Sequence, residues 1–149
     1  MIKVHMILPD RLYQRGDLLR HPRAAKEELI TRMQLRLIAG LYGPADGDLQ
    51  ALLGDLYVHN PIPDGVRTDF EALEVIARRA LELTAGGREC AILTLCHAGR
   101  NRSGLLSAMI VRQLLRVSGT EALRLVRAGR PRAVANPHFA AYLEELTAP

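Results

Sequence analysis

CAILTLCHAGRNRSG, residues 90–104, decides how the rest of the chain is read. Residues 90–95 are a short apolar run, the pattern of a central strand buried on both faces. Cys96-His97-Ala98-Gly99-Arg100-Asn101-Arg102-Ser103-Gly104 follows, and GLLSAMIVRQLLRV (104–117), apolar on most sides, predicts a buried helix. A turn between a strand end and a helix N-terminus gathers backbone N–H groups into one concavity. With the helix dipole behind it, that concavity suits an anion. Gly99 allows a positive φ or a close backbone approach inside the turn. Residues His97, Ala98, Gly99, Arg100, Asn101 and Arg102 are therefore the expected cradle of a phosphate.

Cys96 stands at the mouth of this cradle. A thiol ordinarily titrates near about 8.5, and fixed N–H dipoles and guanidinium groups lower that by several units. The thiolate is then a nucleophile at neutral pH. Arg102 closes the loop with a planar fork that can grip two phosphate oxygens. The Ser103 hydroxyl is placed to hydrogen-bond the Cys96 sulfur. The Cys-to-Arg spacing alone is weak in an Arg-rich chain, and a buried Cys before a Gly-containing turn is the plain alternative. The preceding strand, Gly99, Ser103, Gly104 and the helix sharpen the functional reading.

A leaving oxygen needs a proton, so this chemistry wants a carboxylic acid on a separate loop. Asp64 is the best candidate, in NPIPDGV after an apolar strand and 32 residues before Cys96. Pro61 and Pro63 stiffen that loop and Gly65 permits its bend. Asp64-Gly65 also reads as a plain turn. Asp55 begins a strand and Asp69 fits a helix cap, so both are poorer choices. The expected catalytic set is Cys96, Arg102, Asp64 and Ser103. It calls for no metal and no cofactor, and no ligand cluster with metal-site spacing is present.

Outward from the loop, strands are predicted at 2–8, 35–41, 55–59 and 90–95. Helices are predicted at 22–34, 48–53, from Thr68 or Asp69 to Gly86 and Gly87, and at about 120–128 and 137–146. Asn136 takes the N-cap position of the last helix and Pro137 its first position. Residues 10–22, DRLYQRGDLLRHP, read as a polar loop, in which Tyr13, Arg15 and Arg20 could line a site rim. The alternation predicts one α/β domain spanning 1–149. Its central sheet should be mostly parallel, with about four to five strands flanked by helices.

Of 149 residues, 48% are hydrophobic, enough for one sizeable core. Trp is absent and Phe numbers 2, so that core is aliphatic. The net charge of +4 favours anionic partners, or is simply a basic surface. No dense Lys/Arg run with interleaved aromatics marks a nucleic-acid groove. Cys90 and Cys96 would lie roughly 20 Å apart along an extended strand, too far for a disulfide. Two thiols fit a reducing cytoplasm. No stretch approaches a membrane span, and the N-terminal apolar run is too brief for a signal peptide.

The loop resembles the signature of protein tyrosine phosphatases, in particular the compact dual-specificity class. That pattern is Cys, five residues, Arg, then Ser or Thr, between a central strand and a helix; here it is Cys96, Arg102 and Ser103, with Ala98-Gly99 as the Ala-Gly pair. The resemblance extends from about Val58 to Leu143 and includes the Asn-Pro step of RPRAVANPHFAAYL. It implies a phosphatase of phosphotyrosine, phosphoserine or phosphothreonine on proteins, acting through a phosphocysteine with Asp64 as acid and then base. One position departs from it: the family's His before the nucleophile is Leu95. His97, one place later, reads as a solvated or specificity residue. Arg100 is similar to basic loop residues of relatives that act on phosphoinositides. Asn101-Arg102-Ser103 is similar to the RNA 5′-triphosphatases. A phosphate-binding module with little turnover is the remaining alternative.

Overall fold

The computed structural model describes residues 1–66, 68–85 and 90–149. A five-stranded sheet runs through it: β1 (His5–Leu8), β2 (Leu12–Arg15), β3 (Leu35–Gly40), β4 (Tyr57–His59) and β5 (Ala91–Leu95). The spatial order is β1-β2-β5-β3-β4. Only β1 runs antiparallel to its neighbour; β2, β5, β3 and β4 are mutually parallel. β5 is thus the middle strand, and its five residues are all buried, as the apolar run 90–95 predicts.

Among the described residues six α-helices cover the two faces: α1 (Arg23–Met33), α2 (Gly47–Leu53), α3 (Phe70–Thr84), α4 (Asn101–Leu115), α5 (Gly119–Gly129) and α6 (Pro137–Glu144). The strand pleat sorts β5 between two cores. Ile92 joins Leu105, Leu106, Met109, Leu73 and Phe139 on the α3–α6 side. Leu93 and Leu95 join Leu29, Leu49, Ile38 and Tyr57 on the α1–α2 side.

Local chemistry sets the helix starts. Asp69 caps α3 by accepting the Ala72 N–H at 3.1 Å, and Asn136 caps α6 by accepting the His138 N–H at 2.9 Å with Pro137 behind it. The closure of α3 expected at Gly86 and Gly87 lies outside the described residues. One buried ionic cluster stitches the α1–α2 layer. The Lys26 ammonium sits 2.9 Å from both Asp46 Oδ2 and Asp48 Oδ2, and the Asp46 side chain caps α2.

Two expectations need correction. Residues 10–22 are not all loop: Leu12–Arg15 form β2, between β1 and β5. Tyr13 is consequently buried in the α1–α2 core rather than on a rim, and the Arg15 guanidinium is spent on the carbonyls of Gly16, Lys3 and Asp17. The long helix also begins earlier than Gly104, so that Asn101 and Arg102 belong to the first turn of α4.

Candidate active site

The carboxyl ends of the four parallel strands meet at one place, where α/β folds collect their ligands. β5 delivers Cys96, which is 2% exposed. The chain then turns through residues 97–100 into α4. Gly99 has φ +68, and a Cβ there would collide with the backbone of Arg15 and Gly16 just beyond β2. Glycine is needed here both for the left-handed conformation and for the close approach.

The outer wall of the turn is a series of capped carbonyls. Leu95 O accepts the Leu41 N–H at 2.9 Å and His97 O that of Asp17 at 3.4 Å. Gly99 O accepts Gln14 Nε2 at 3.0 Å and Arg130 Nε at 3.2 Å. Arg100 O accepts the N–H groups of Gly104 and Val134 at 3.1 and 3.2 Å. The Gly104 bond closes the first turn of α4, so the N–H groups of Asn101, Arg102 and Ser103 have no intrahelical acceptor.

Cys96 Sγ lies 3.1 Å from Ser103 Oγ, in a buried contact. One turn further along α4, Ser107 Oγ pairs with Thr94 Oγ1 at 2.7 Å. Of the buried polar or charged side chains among the described residues, Gln14, Thr94, Ser103 and Ser107 line this seam between β2, β5 and α4, while Lys26 and Asp46 belong to the ionic cluster. Leu95 points the other way, into the α1–α2 core, and offers the loop only packing.

Arg102 is held at one end. Its Nη1 donates to Leu41 O at 3.4 Å and Ile62 O at 3.3 Å, from the loops after β3 and β4. Its Nε is buried and has no partner among the described residues. The Nε–Nη2 edge, the one suited to a two-point grip on an oxyanion, is not consumed by the anchoring bonds.

Asp64 is drawn to the loop by two amides. Asn101 Nδ2 donates to its Oδ2 at 3.0 Å and Asn136 Nδ2 to its Oδ1 at 2.9 Å. Asn101 Oδ1 in turn accepts the Asn136 N–H at 3.0 Å. Each carboxyl oxygen keeps a further lone pair, so the group is oriented without exhausting its capacity to hold or take a proton. Asp55 and Asp69 stand elsewhere, in a 3-10 turn and at the cap of α3. His97 is 79% exposed, with Nδ1 3.4 Å from Asp17 Oδ2; Ala98, Arg100 and Arg20 are also exposed.

The structure therefore brings Cys96, Arg102, Ser103 and Asp64 to one place. It adds Asn136, Gln14 and Arg130, which the sequence reading did not assign to the site. Asn136 carried a signal for its helix cap only. Gln14 carried none, because its partner lies 85 residues away.

No family model and no curated protein sequence matches the chain. Its fold is that of solved protein tyrosine and dual-specificity phosphatases. The Cydia pomonella PTP-2 phosphatase superposes with a TM-score of 0.78 at 18% identity, over 97% of this chain and 89% of that one. Human DUSP28 gives 0.72 at 20% identity, over 97% and 93%. Tk-PTP in its active form gives 0.72 at 26% identity, over 95% and 96%.

Proposed function

We propose that this chain, whose fold is shared with protein tyrosine and dual-specificity phosphatases, is a cysteine-dependent phosphatase in which residues 1–149 form one catalytic domain. The observation that carries the proposal is the tie between two loops. Asp64 is hydrogen-bonded to Asn101, which lies in the short run between Cys96 and Arg102.

A phosphate monoester would enter with its non-bridging oxygens facing the N–H groups of the 97–103 run and the free edge of Arg102. Cys96 Sγ attacks phosphorus in line. The S–P bond forms as the P–O bond to the leaving group breaks, and Asp64 gives its proton to the departing oxygen. The Ser103 hydroxyl, 3.1 Å from the sulfur, steadies the thiolate before attack and as it leaves in the second step. Water then attacks the phosphocysteine, with Asp64 accepting the water's proton, and inorganic phosphate departs. Charge on the transferring group is met by groups already in place before the reaction.

The proposed substrates are phosphotyrosine, phosphoserine and phosphothreonine of proteins. A second reading, a more highly charged phosphate ester such as a phosphoinositide, is favoured by one observation: Arg100 is an exposed cation inside the loop itself. Among the described residues no helix is long and apolar enough to cross a membrane.

Turnover of para-nitrophenyl phosphate tests the class. The wild-type protein is expected to release nitrophenol and phosphate, and Cys96→Ser to release neither while still binding phosphate. Inactivity of the wild type, or undiminished activity of Cys96→Ser, would remove the proposal. A panel of phosphopeptides, phosphoinositides and 5′-triphosphate RNA then separates the substrate readings.

A further inference from the structure

We propose that Gln14 is a positioning residue of the phosphate-binding loop, whose buried amide turns one peptide of that loop so that its N–H faces the substrate. The proposal rests on the phosphatase reading and deepens it.

A trans peptide is planar, with its C=O and N–H pointing in opposite directions. A loop that aims N–H groups inward must therefore hold the preceding carbonyls outward, and buried carbonyls need donors there. Each outward carbonyl described above is capped. For Leu95, His97 and Arg100 the cap is a backbone N–H, fixed by the path of the chain. Gly99 is different, because its carbonyl is held by two side chains, Gln14 and Arg130.

The Gly99–Arg100 peptide is also the one with most freedom to turn over. Glycine at φ +68 faces little steric penalty in either orientation of the peptide that follows it. If that carbonyl swung inward, an acceptor would face the phosphate oxygens in place of the Arg100 N–H. Gln14 opposes the swing from a rigid base. It is 0% exposed, sits on β2 in register with Thr94 of β5, and approaches from the α4 side of the sheet. Leu95 cannot do this work, since its side chain lies in the opposite core.

Gln14 also carries a cost that packing alone would not retain. Its Oε1 is buried with no partner among the described residues, and an unsatisfied buried acceptor is destabilising. An apolar residue of similar length would fill the same space without that cost. The donor end of the amide, on Gly99 O, is the feature that sets Gln14 apart from such a residue.

The test uses the full chain with Gln14→Met and Gln14→Glu, measuring para-nitrophenyl phosphate turnover, inhibition by orthovanadate and the melting temperature. Gln14→Met is expected to melt at or above the wild-type temperature. It should lose roughly 10-fold or more in vanadate affinity and in kcat, the usual scale for a partner one layer behind the contact groups. Gln14→Glu keeps the length but sets an acceptor against Gly99 O, and should lose at least as much. Vanadate affinity and kcat unchanged in Gln14→Met would overturn the proposal while leaving the phosphatase reading intact. So would melting temperatures that fall in both variants in step with activity, which would mark Gln14 as a packing residue. A wild type that neither turns over nor binds vanadate would overturn the phosphatase reading and this proposal with it.

Discussion

Arg102 shows how one side chain can be both fixed and available. Nη1 rests on two carbonyls from other loops, and Nε is buried with no partner among the described residues. Arg102→Lys keeps the charge but has one ammonium for both tasks. It is expected to lower kcat/KM by roughly 10²–10³, the usual cost of one oxyanion donor; steady-state kinetics checks this, and a loss under tenfold would contradict the clamp. Asn136 makes a different prediction. It orients Asp64 without a role at phosphorus, so Asn136→Ala should slow alkyl and peptide phosphates several-fold more than para-nitrophenyl phosphate, whose leaving group departs unaided. Equal losses on both substrates would assign Asn136 to α6 capping alone. The grouping of Cys96, Arg102 and Ser103 on one turn was legible because they lie within a few consecutive residues. Asp64 was legible through its Pro-rich setting. Asn136 and Gln14 were not, since an amide advertises nothing locally and their partners are 72 and 85 residues away.

At the scale of elements, β2 is the instructive miss. LYQR lacks the apolar run expected of a strand beside the centre of a sheet, because Gln14 Nε2 donates to the Gly99 carbonyl and the Arg15 guanidinium to those of Gly16 and Lys3. The buried Gln14 is thus a departure from the apolar pattern beside the proposed site. The early start of α4 has a related cause: Asn101 and Arg102 are polar, and the apolar pattern begins only at Leu105. The α1–α2 layer makes a separate prediction. Burial works against the Lys26 ammonium, yet its hydrogen bonds to Asp48 and Asp46 hold it above the ordinary lysine value of 10.5. A raised folded value means that this contribution to stability is complete below 10.5 and is lost as pH rises through the folded value. Lys26→Met leaves Asp46 buried without its cation and should destabilise the fold by about 3–5 kcal/mol. Urea denaturation measures it, and a change within about 0.5 kcal/mol would show the cluster to be dispensable.

For the molecule as a whole, the alternating pattern foretold an α/β fold with 90–95 at its centre, and β5 is the middle strand with both faces buried. The strand order and the antiparallel β1 were beyond the sequence, because they depend on β2, whose polar residues hid it. The same topology explains the site. Four parallel strands end on one side, and each sends forward a piece: Gly16–Asp17 after β2, Leu41 after β3, Ile62 and Asp64 after β4, and Cys96 after β5. In the proposed reaction, catalysis passes through a phosphorylated Cys96. Asp64→Asn should still be phosphorylated by para-nitrophenyl phosphate, whose leaving group needs no acid, but should release the phosphoryl group slowly for want of a base. Rapid acid quench of that variant, followed by intact-mass and peptide mass spectrometry, reads the intermediate. One phosphoryl group per chain is expected, mapped to Cys96 and missing when Cys96 is also replaced by Ser. A phosphoryl group on another residue, or turnover of wild type with no adduct trapped in the variant, would contradict it.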